Sequence, residues 1–369
     1  MAVLDSFVEE QMRLSHMPGL AVAVIKDNAV AFSKGYGWSN IAQQVAMTTS
    51  TIQNIGSVSK PVVTSMVMQC IERGHFSLGN DVNDYLPFPV RNPNHPEADI
   101  TVLQLLTHTS SIADGSSYGE GYACGESKVA LQEWIAGYFL PDGEFYNAAE
   151  NFHHWAPGEK YEYNNVAFAL LAYLVQVVNE QEFDAYCRDN LFAPLGMNST
   201  TWFVANVDID RHATPYAYVS KGYIDSPTWG GIYLGLVNAA QPAAEFEGPF
   251  ADCIYDHPNF ADGFLRSSVN DMSKFQMMLL GKGELDGERV LRQESVEKML
   301  GGHGITWHER ELPNGPTVWG HGGGDPGVST LFDFRPEHGD GVIVFANTHG
   351  ALLDATSAHL FTVDKNLFD

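Results

Sequence analysis

The chain has 369 residues, of which 44% are hydrophobic and 12% aromatic, so it can form one large domain or two interlocked domains around a sizeable core. Its 20 basic and 45 acidic side chains give a formal net charge of −25. A surface with that excess of negative charge repels nucleic acids and anionic membranes, so we expect neither as a partner, and the oligomeric state stays open.

The hydrophobic pattern predicts strands near both chain ends and helices between them. The N-terminal part is predicted to form a helix over residues 4–14 and a hairpin of strands over residues 20–25 and 29–32. The middle of the chain is predicted to hold helices over residues 61–73, 127–138, 167–179 and 183–190. The C-terminal part is predicted to hold strands over residues 317–319, 329–334 and 342–346, turns over residues 322–327 and 337–341, and a helix over residues 352–361.

This order of elements indicates an α/β (α+β) fold with one antiparallel sheet built from both chain ends. Residues 1–50 and 265–369 would form a discontinuous sheet domain flanked by helices, and residues 51–264 an inserted, mainly helical domain. Residues 214–263 have weak periodicity and many Gly, Pro and Tyr residues. Because structureless loops of that length are uncommon in compact domains, we expect an ordered excursion that lines a cleft.

The cysteines and the N-terminus bear on location. The four cysteines form no C-x-x-C pair and have no zinc spacing, and Cys70 is predicted to be a buried thiol. The N-terminus lacks a basic segment followed by a long apolar run, so we expect no signal peptide and a cytoplasmic location. A secreted or periplasmic protein whose leader has been removed would give the same sequence.

The string Ser57-Val58-Ser59-Lys60 carries the strongest chemical signal. Residues three apart share one face of a helix, and the apolar run after Lys60 predicts a buried helix. A desolvated lysine can take the proton of a serine hydroxyl and so activate it as a nucleophile. A second match, Ser295 to Lys298, lies in a charged stretch that we interpret as an exposed helix, so we assign it no chemistry.

Two further strings suit the same chemistry. Tyr163-Asn164-Asn165 is the only Tyr-x-Asn in the chain, and its side chains are suited to moving a proton and holding a lysine, although a loop tyrosine and a helix N-cap asparagine would give the same string. Residues 319–327 are glycine-rich, which permits close backbone approach. There the backbone N–H of Gly324, with that of Ser57, would form an oxyanion hole.

Two other interpretations of the glycine-rich string fit poorly. As a dinucleotide fingerprint it would place Asp325 against a pyrophosphate, and no helix is predicted to follow. As the His-Gly-Gly-Gly string of α/β-hydrolase lipases it would require a G-x-S-x-G elbow, which the chain lacks. The histidines show no His-Glu-x-x-His pattern, so no metal is expected.

The three strings resemble, in order, the three motifs of the serine β-lactamase and penicillin-binding-protein superfamily. The Tyr-x-Asn variant is similar to the class C branch, and the resemblance extends from about Val8 to Thr348. It is supported by further strings at residues 17–24, 105–110, 194–197 and 270–272. The resemblance implies a β-lactamase-like fold.

The chain departs from the family pattern at two places. His321 stands where the family usually carries the lysine of Lys-Thr-Gly, which helps to bind substrate carboxylates. Histidine at this position is similar to family VIII carboxylesterases and to D-aminopeptidase-like members. Ser111-Ile112 stands where the family often shows Gly-Leu, which we expect to alter a turn and not the chemistry.

These motifs predict a serine hydrolase that forms an acyl-enzyme on small carboxylic esters without a cofactor. Ser57 would attack the carbonyl and Lys60 would accept its proton. Tyr163 would relay that proton to the leaving alkoxide and then activate water, while Asn165 positions Lys60 and the substrate. His321 would line the cleft and hydrogen-bond toward Tyr163.

The substrate pocket and the reaction class leave alternatives open. Aromatic side chains of the excursion, with two glycines of the third motif, are expected to shape an apolar pocket: Tyr216, Tyr218, Trp229, Tyr233, Tyr255, Gly322 and Gly323. The alternative enzyme is a β-lactamase or a D-amino-acid-specific peptidase or amidase, which would act on an amide. The alternative of another class is a non-catalytic, lactamase-like scaffold.

Overall fold

The computed structural model describes residues 2–220, 223–224, 245–302 and 304–363. Its helices, in chain order, are α1 (Ala2–Leu14), α2 (Ser59–Glu72), α3 (Val102–Leu106), α4 (Ser116–Glu120), α5 (Leu131–Phe139), α6 (Val166–Asn179), α7 (Phe183–Cys187), α8 (Val269–Leu280), α9 (Gln293–Met299) and α10 (Asp354–Thr362). A π-helix, Arg188–Phe192, continues α7.

The strands are short in the middle of the chain and long near its ends. In chain order they are β1 (Gly19–Lys26), β2 (Ala29–Asn40), β3 (Val45–Ala46), β4 (Gln53–Asn54), β5 (Ala123–Cys124), β6 (Tyr216–Ser220), β7 (Tyr223–Ile224), β8 (Gly248–Ala251), β9 (Tyr255–Asp256), β10 (Arg266–Ser267), β11 (Glu284–Leu285), β12 (Glu288–Arg289), β13 (His308–Glu311), β14 (Thr317–Asp325), β15 (Val328–Arg335) and β16 (Asp340–Ala346).

One seven-stranded sheet joins the two chain ends, in the order β13-β14-β15-β16-β1-β2-β3. The N-terminal strand β1 pairs antiparallel with the C-terminal strand β16, with Leu20 opposite Ala346, and with β2 on its other side. This arrangement confirms the predicted antiparallel sheet built from both termini. The boundaries of the two predicted domains stay a prediction.

The side chains of β1 alternate between two hydrophobic clusters, as expected for a strand covered on both faces. Ala21, Ala23 and Ile25 belong to the larger cluster, which also holds most of the buried helical residues. The intervening residues 20, 22 and 24 belong to a smaller cluster with the terminal helices α1 and α10. The helices α2 and α6 are buried along most of their length in the larger cluster, which explains their nearly continuous apolar sequences.

The structure differs from the sequence prediction in the third motif. Strand β14 continues through the glycines to Asp325, in register with β15, so the predicted turn over residues 322–327 shrinks to Pro326 and Gly327. Gly323 pairs with Thr330 in the ladder. Glycine normally weakens a strand, but here it allows another backbone segment to approach the sheet.

Several helical predictions also needed correction. Helix α5 begins at Leu131, four residues later than predicted, and α7 ends at Cys187, where the π-helix takes over. The stretch around Ser295 forms α9, but it is amphipathic, with Ser295 buried and Lys298 exposed. At the predicted altered turn, Ser111 has a φ of 62°, the left-handed region that favours glycine.

A disulfide bond joins Cys124 to Cys253, 129 residues apart in sequence, and ties β5 to the excursion next to β9. Sequence spacing gave no sign of this pairing. Cys70 and Cys187 are free, buried thiols, as predicted for Cys70. Within the part of the chain that the structure describes, the helices are too short or too polar to span a bilayer.

Candidate active site

The first motif brings its serine and lysine into contact. Ser57 lies in a short 3-10 turn, Gly56–Val58, that leads directly into α2. The side chain of Lys60, in the first turn of α2, is completely buried. Its Nζ lies 3.0 Å from Oγ of Ser57. The α-helix begins at Ser59, two residues before the predicted start at residue 61.

Two more oxygen atoms surround Nζ of Lys60. Oδ1 of Asn165 and the backbone carbonyl oxygen of Asp262 each lie 2.8 Å away. Both are obligate acceptors and therefore take one N–H bond each. The third direction from Nζ faces the hydroxyl of Ser57. A neutral Lys60 amine would present its lone pair there, which is the arrangement that lets a lysine take a serine proton.

Tyr163 lies beside the lysine and is held by a buried histidine. The centroid of its ring is 4.8 Å from Nζ of Lys60 and 4.4 Å from the ring centroid of His108, on which it stacks. Nδ1 of His108 accepts the backbone N–H of Asn164 at 3.1 Å. Burial, and after it the charge of Lys60, lower the pKa of His108 to about 2, so the imidazole stays neutral.

The side-chain amide of Asn165 faces Lys60 and does not cap the helix that follows it. Asn165 stands immediately before α6 but makes no side-chain cap bond. Oδ1 of Asn164 accepts the backbone N–H of Ala167 at 2.6 Å and so takes the capping role. The carboxylate of Asp114 accepts the backbone N–H groups of Asn165 and Val166 at 2.9 and 3.0 Å.

The glycines of β14 lie against the turn that carries Ser57. A Cβ added to Gly323 would lie 2.2 Å from the carbonyl oxygen of Ile55 and 3.1 Å from the backbone nitrogen of Ser57. A Cβ added to Gly56, whose φ is +55°, would lie 2.9 Å from the nitrogen of Gly324. Glycine at these positions therefore allows the two backbones to meet, as the predicted oxyanion hole requires. The role of the two N–H groups stays a prediction.

His321 lines the cleft as a neutral imidazole, but its hydrogen bond differs from the one expected. Nδ1 lies 2.7 Å from the carbonyl oxygen of Gly322, which can only accept, so Nδ1 carries the proton. Within the described residues Nε2 has no hydrogen-bond partner, and the expected bond toward Tyr163 is absent. Burial, and then the charge of Lys60, lower the pKa of His321 to about 3.

Ser57 opens into a cleft of about 400 Å³. Its aromatic walls are Tyr118, Tyr122, Tyr163 and Phe264, and its acidic side chains are Asp262 and Asp325. Among the described residues that line it there is no lysine or arginine. Apart from Lys60, which is buried behind Ser57, the described part of the cleft therefore offers no lysine or arginine to attract a carboxylate.

The pocket residues expected from the excursion are not the ones found. Trp229 and Tyr233 lie outside the described residues. Of the expected glycines, Gly322 lines the cleft, whereas Gly323 faces the Ser57 turn. The remaining expected aromatics do not line the described cleft: Tyr216, Tyr218 and Tyr255.

Each acidic side chain of the cleft is hydrogen-bonded by a tyrosine. Oδ2 of Asp262 accepts from the hydroxyl of Tyr118 at 2.6 Å, and Oδ1 of Asp325 from that of Tyr122 at 2.8 Å. Oδ2 of Asp325 also accepts from Nδ2 of Asn54 at 2.9 Å. Oδ1 of Asn54 in turn accepts the backbone N–H of residue 56, next to the serine. The bonds through Asn54 thus join the first motif to the third.

Burial raises the pKa of both carboxyl groups. It raises that of Asp325 to about 8 and that of Asp262 to about 6, the positive charge of Lys60 acting in the opposite direction on Asp262. Near neutral pH these groups therefore exist partly as neutral acids. Burial in apolar surroundings is the cause of both shifts, since the charged form loses its hydration.

Several residues of the site escaped the sequence analysis. No sequence motif with a fixed spacing contains these residues, and their partners lie far away in the sequence. They are Asp114, His108, Tyr118 and Tyr122. His108 falls in the string Thr107-His108-Thr109-Ser110, which contributed to the family resemblance. That resemblance is the one signal in the sequence that pointed to it.

Comparisons with known proteins identify the family of the chain. Residues 4–365 match the family described as Beta-lactamase. Protein flp of Staphylococcus aureus (strain MW2) is 26% identical over 214 residues, which cover 58% of this chain but only 40% of flp. The chain therefore matches less than half the length of that relative.

Two solved structures share the fold. The D-amino acid amidase from Ochrobactrum anthropi SV3, complexed with L-phenylalanine, is 16% identical, with a TM-score of 0.73 over 99% of this chain and 94% of the amidase. EstCE1, described as a hydrolase with promiscuous acyltransferase activity, is 19% identical, with a TM-score of 0.72 over 97% of both chains. At these identities the likeness shows the fold alone. Because the family match covers almost the whole chain, this protein belongs to the Beta-lactamase family.

Proposed function

We propose that this protein is a serine hydrolase that forms an acyl-enzyme through Ser57, with small carboxylic esters as its substrates. One observation carries the proposal: Nζ of the buried Lys60 has two obligate acceptors and turns its third direction to Oγ of Ser57, 3.0 Å away. A lysine held only for packing or charge pairing would not need a serine hydroxyl in that position.

The proposed reaction has two stages. In the first, Oγ of Ser57 bonds to the ester carbonyl carbon while its proton passes to Lys60, and the N–H groups of Ser57 and Gly324 stabilise the oxyanion. Tyr163 then takes a proton from Lys60 and donates its own to the alkoxide as the carbon–oxygen bond breaks. In the second stage water attacks the acyl carbon while one of its protons passes through Tyr163 to Lys60. The bond between that carbon and Oγ of Ser57 then breaks, and Lys60 returns the proton to Oγ.

The lining of the cleft supports esters with short, uncharged acyl groups. No described lysine or arginine lines it, and burial keeps the imidazole of His321 neutral, so a carboxylate on the substrate would find no fixed cation. Of the two acidic side chains in the lining, Asp262, whose pKa is about 6, is mostly ionised near neutral pH and would repel such a group. Carboxylate-bearing β-lactams should therefore bind weakly. The fold shared with EstCE1 is consistent with this choice.

A substrate panel tests the proposal. We expect kcat/KM for p-nitrophenyl butyrate to exceed that for nitrocefin and for D-aminoacyl amides, measured in parallel on the pure protein. His321→Lys should shift the ratio toward nitrocefin and lower the esterase activity, because it restores a cation near the acyl group. Removing one partner of a buried charge pair costs about 2–5 kcal/mol, which sets an upper scale for the effect of this substitution. A natural protein that already prefers nitrocefin, or the amides, by a large factor would contradict the ester proposal in favour of the lactamase or amidase alternative.

A further inference from the structure

We infer that Asp114 is a positioning residue that fixes which end of the Asn165 side-chain amide faces Lys60. Asp114 belongs to no motif and does not line the cleft around Ser57. The inference rests on the proposed function, because it assigns Asp114 a part in preparing Lys60 to accept the serine proton.

The carboxylate of Asp114 meets the start of α6 with both oxygen atoms. Oδ1 accepts Nδ2 of Asn164 at 2.7 Å and the backbone N–H groups of Asn165 and Val166 at 2.9 and 3.0 Å. Oδ2 accepts Nδ2 of Asn165 at 2.8 Å. A carboxylate at the N-terminus of a helix also interacts favourably with the helix dipole.

The chemistry of these contacts leaves one orientation for Asn165. Backbone N–H groups can only donate, and each oxygen of Asp114 accepts one: Oδ1 from Val166 and Oδ2 from Asn165, both at 3.0 Å. Both oxygens are therefore acceptors, so the NH₂ group of Asn165 must face Asp114. Its carbonyl oxygen, Oδ1, then faces Lys60 at 2.8 Å. If the amide were turned over, an NH₂ group would face the N–H bonds of Lys60, and two donors would meet. Asp114 thereby keeps Oδ1 of Asn165, an obligate acceptor, on Nζ of Lys60. The third direction from Nζ stays open toward Ser57.

The loop that carries Asp114 is held from both sides by one buried tyrosine. The hydroxyl of Tyr138 donates to the carbonyl oxygen of Ala113 at 2.7 Å and accepts the backbone N–H of Gly115 at 2.7 Å. The backbone N–H of Ala113 also donates to the carbonyl oxygen of Asn151 at 2.9 Å. The side chain of Asp114 reaches the surface beside α6, while the groups that enclose it raise the pKa of its carboxyl group. Substitutions there act mainly through the hydrogen bonds to the start of α6.

Two substitutions of Asp114 separate a positioning role from a structural one. In Asp114→Asn one oxygen becomes an NH₂ group. If the remaining oxygen keeps the backbone N–H groups of α6, the new NH₂ group faces the amide of Asn165 and favours turning it over. Asp114→Ala removes every acceptor but forces no reversal. A merely structural residue would make the asparagine variant the milder of the two, because it retains the bonds to the helix.

The experiment measures kcat and KM for p-nitrophenyl butyrate, the second-order rate of fluorophosphonate labelling, and the thermal midpoint of both variants and of Asp114→Glu. We expect Asp114→Asn to lose about a hundredfold in kcat with little change in KM and to label correspondingly slowly, since a hydrogen bond to a charged group carries that weight. Asp114→Ala should lose about tenfold, despite a lower thermal midpoint. Asp114→Glu, which keeps two acceptor oxygens, should retain most of the activity.

An asparagine variant as active as the alanine variant, or more active, would overturn the inference. If Asp114→Asn does not fold, the comparison moves to Asp114→Glu and Asp114→Gln, which differ in the same way, and equal activity in that pair would overturn it too. Failure of the proposed function is a separate result. In that case the natural protein itself would neither hydrolyse the ester nor be labelled at Ser57.

Discussion

The three neighbours of the Lys60 Nζ atom come from three distant parts of the chain, and together they define what the lysine can do. Ser57 precedes it by one helical turn, Asn165 stands before α6, and the carbonyl oxygen of Asp262 belongs to the end of the excursion. The two obligate acceptors orient the amine and leave its remaining direction toward Ser57. The function of the lysine thus depends on the whole set and not on the Ser-x-x-Lys spacing alone.

If Ser57, Lys60 and Tyr163 act as a unit, their substitutions should not be additive. Lys60→Ala and Tyr163→Phe should each lower kcat/KM for p-nitrophenyl butyrate on the order of several hundredfold. The double variant should lose little more than the worse single variant. The measurement is a double-mutant cycle on kcat/KM, with thermal midpoints as the control for folding. Losses that multiply in the double variant would show independent roles.

The motif residues of the site could be predicted from the sequence, because local spacing or the family resemblance identifies them. Ser57 and Lys60 are one helical turn apart, and Asn165 lies two residues after the predicted relay Tyr163. Asp114 could not be predicted, since it meets Asn165 only after the chain between them has folded back. The expected bond from His321 to Tyr163 was wrong for a different reason: the orientation of the ring is set by a local bond from Nδ1 to the carbonyl oxygen of the next residue, Gly322.

At the scale of elements, the contact between β14 and the Ser57 turn decides the shape of the site. A turn was expected at the glycines of β14 because glycine is common in turns. In the structure they are strand residues. Because they have no side chain, the turn that carries Ser57 can pack directly against their backbone. A local pattern cannot distinguish these two uses of glycine, because the neighbour is set by the fold of the sheet.

Alanine at two adjacent glycines tests this contact. A Cβ on Gly323 would lie 2.2 Å from the carbonyl oxygen of Ile55 and 2.3 Å from Oγ1 of Thr330, whereas a Cβ on Gly324 has no atom within 4 Å. Gly323→Ala should therefore destabilise the protein by about 1–3 kcal/mol, as overpacking does. Gly324→Ala should leave the free energy of unfolding nearly unchanged. Urea denaturation measures both.

The same pair of variants can contradict the account. If Gly323→Ala were as stable as Gly324→Ala and equally reactive with a fluorophosphonate, the close approach of β14 to the Ser57 turn would not exist in solution. Slower labelling of Ser57 in Gly323→Ala is expected, because β14 must move away from the turn to admit the methyl group.

In the whole molecule, one sheet joins both termini, and the placement of predicted strands at the two chain ends with helices between them predicted that arrangement correctly. The disulfide between Cys124 and Cys253 could not be predicted, since 129 residues separate its partners and their approach depends on the excursion. Such bonds are typical of oxidising compartments. The cytoplasmic location remains a proposal that the sequence alone suggested.

Acidic side chains are also buried inside the protein, and their shifted pKa values make the free energy of unfolding depend on pH. Burial raises the folded-state pKa of Asp325 to about 8, well above its value in an unfolded chain. A group with a raised pKa contributes stability that is fully present below the unfolded pKa of about 4 and is lost as the pH rises through about 8. As the pH rises from 5 to 9, the free energy of unfolding of Asp325→Asn should therefore increase relative to that of the natural protein.

Denaturant titrations at several pH values between 5 and 9 measure that difference. The buried histidines act in the opposite direction, because their lowered pKa values remove stability as the pH falls below about 6.5. They are common to both proteins and cancel in the comparison. A difference that does not change with pH would show that Asp325 keeps an ordinary pKa in the folded protein.

Covalent labelling tests whether Ser57 is the nucleophile. The protein is treated with a fluorophosphonate, digested, and the labelled peptide is identified by mass spectrometry, with Ser57→Ala as the matched control. We predict one label per chain on Ser57, none on Ser295, no label in Ser57→Ala, and loss of nearly all ester hydrolysis in that variant while its thermal midpoint is retained. Labelling at Ser295, or full esterase activity in Ser57→Ala, would contradict the account.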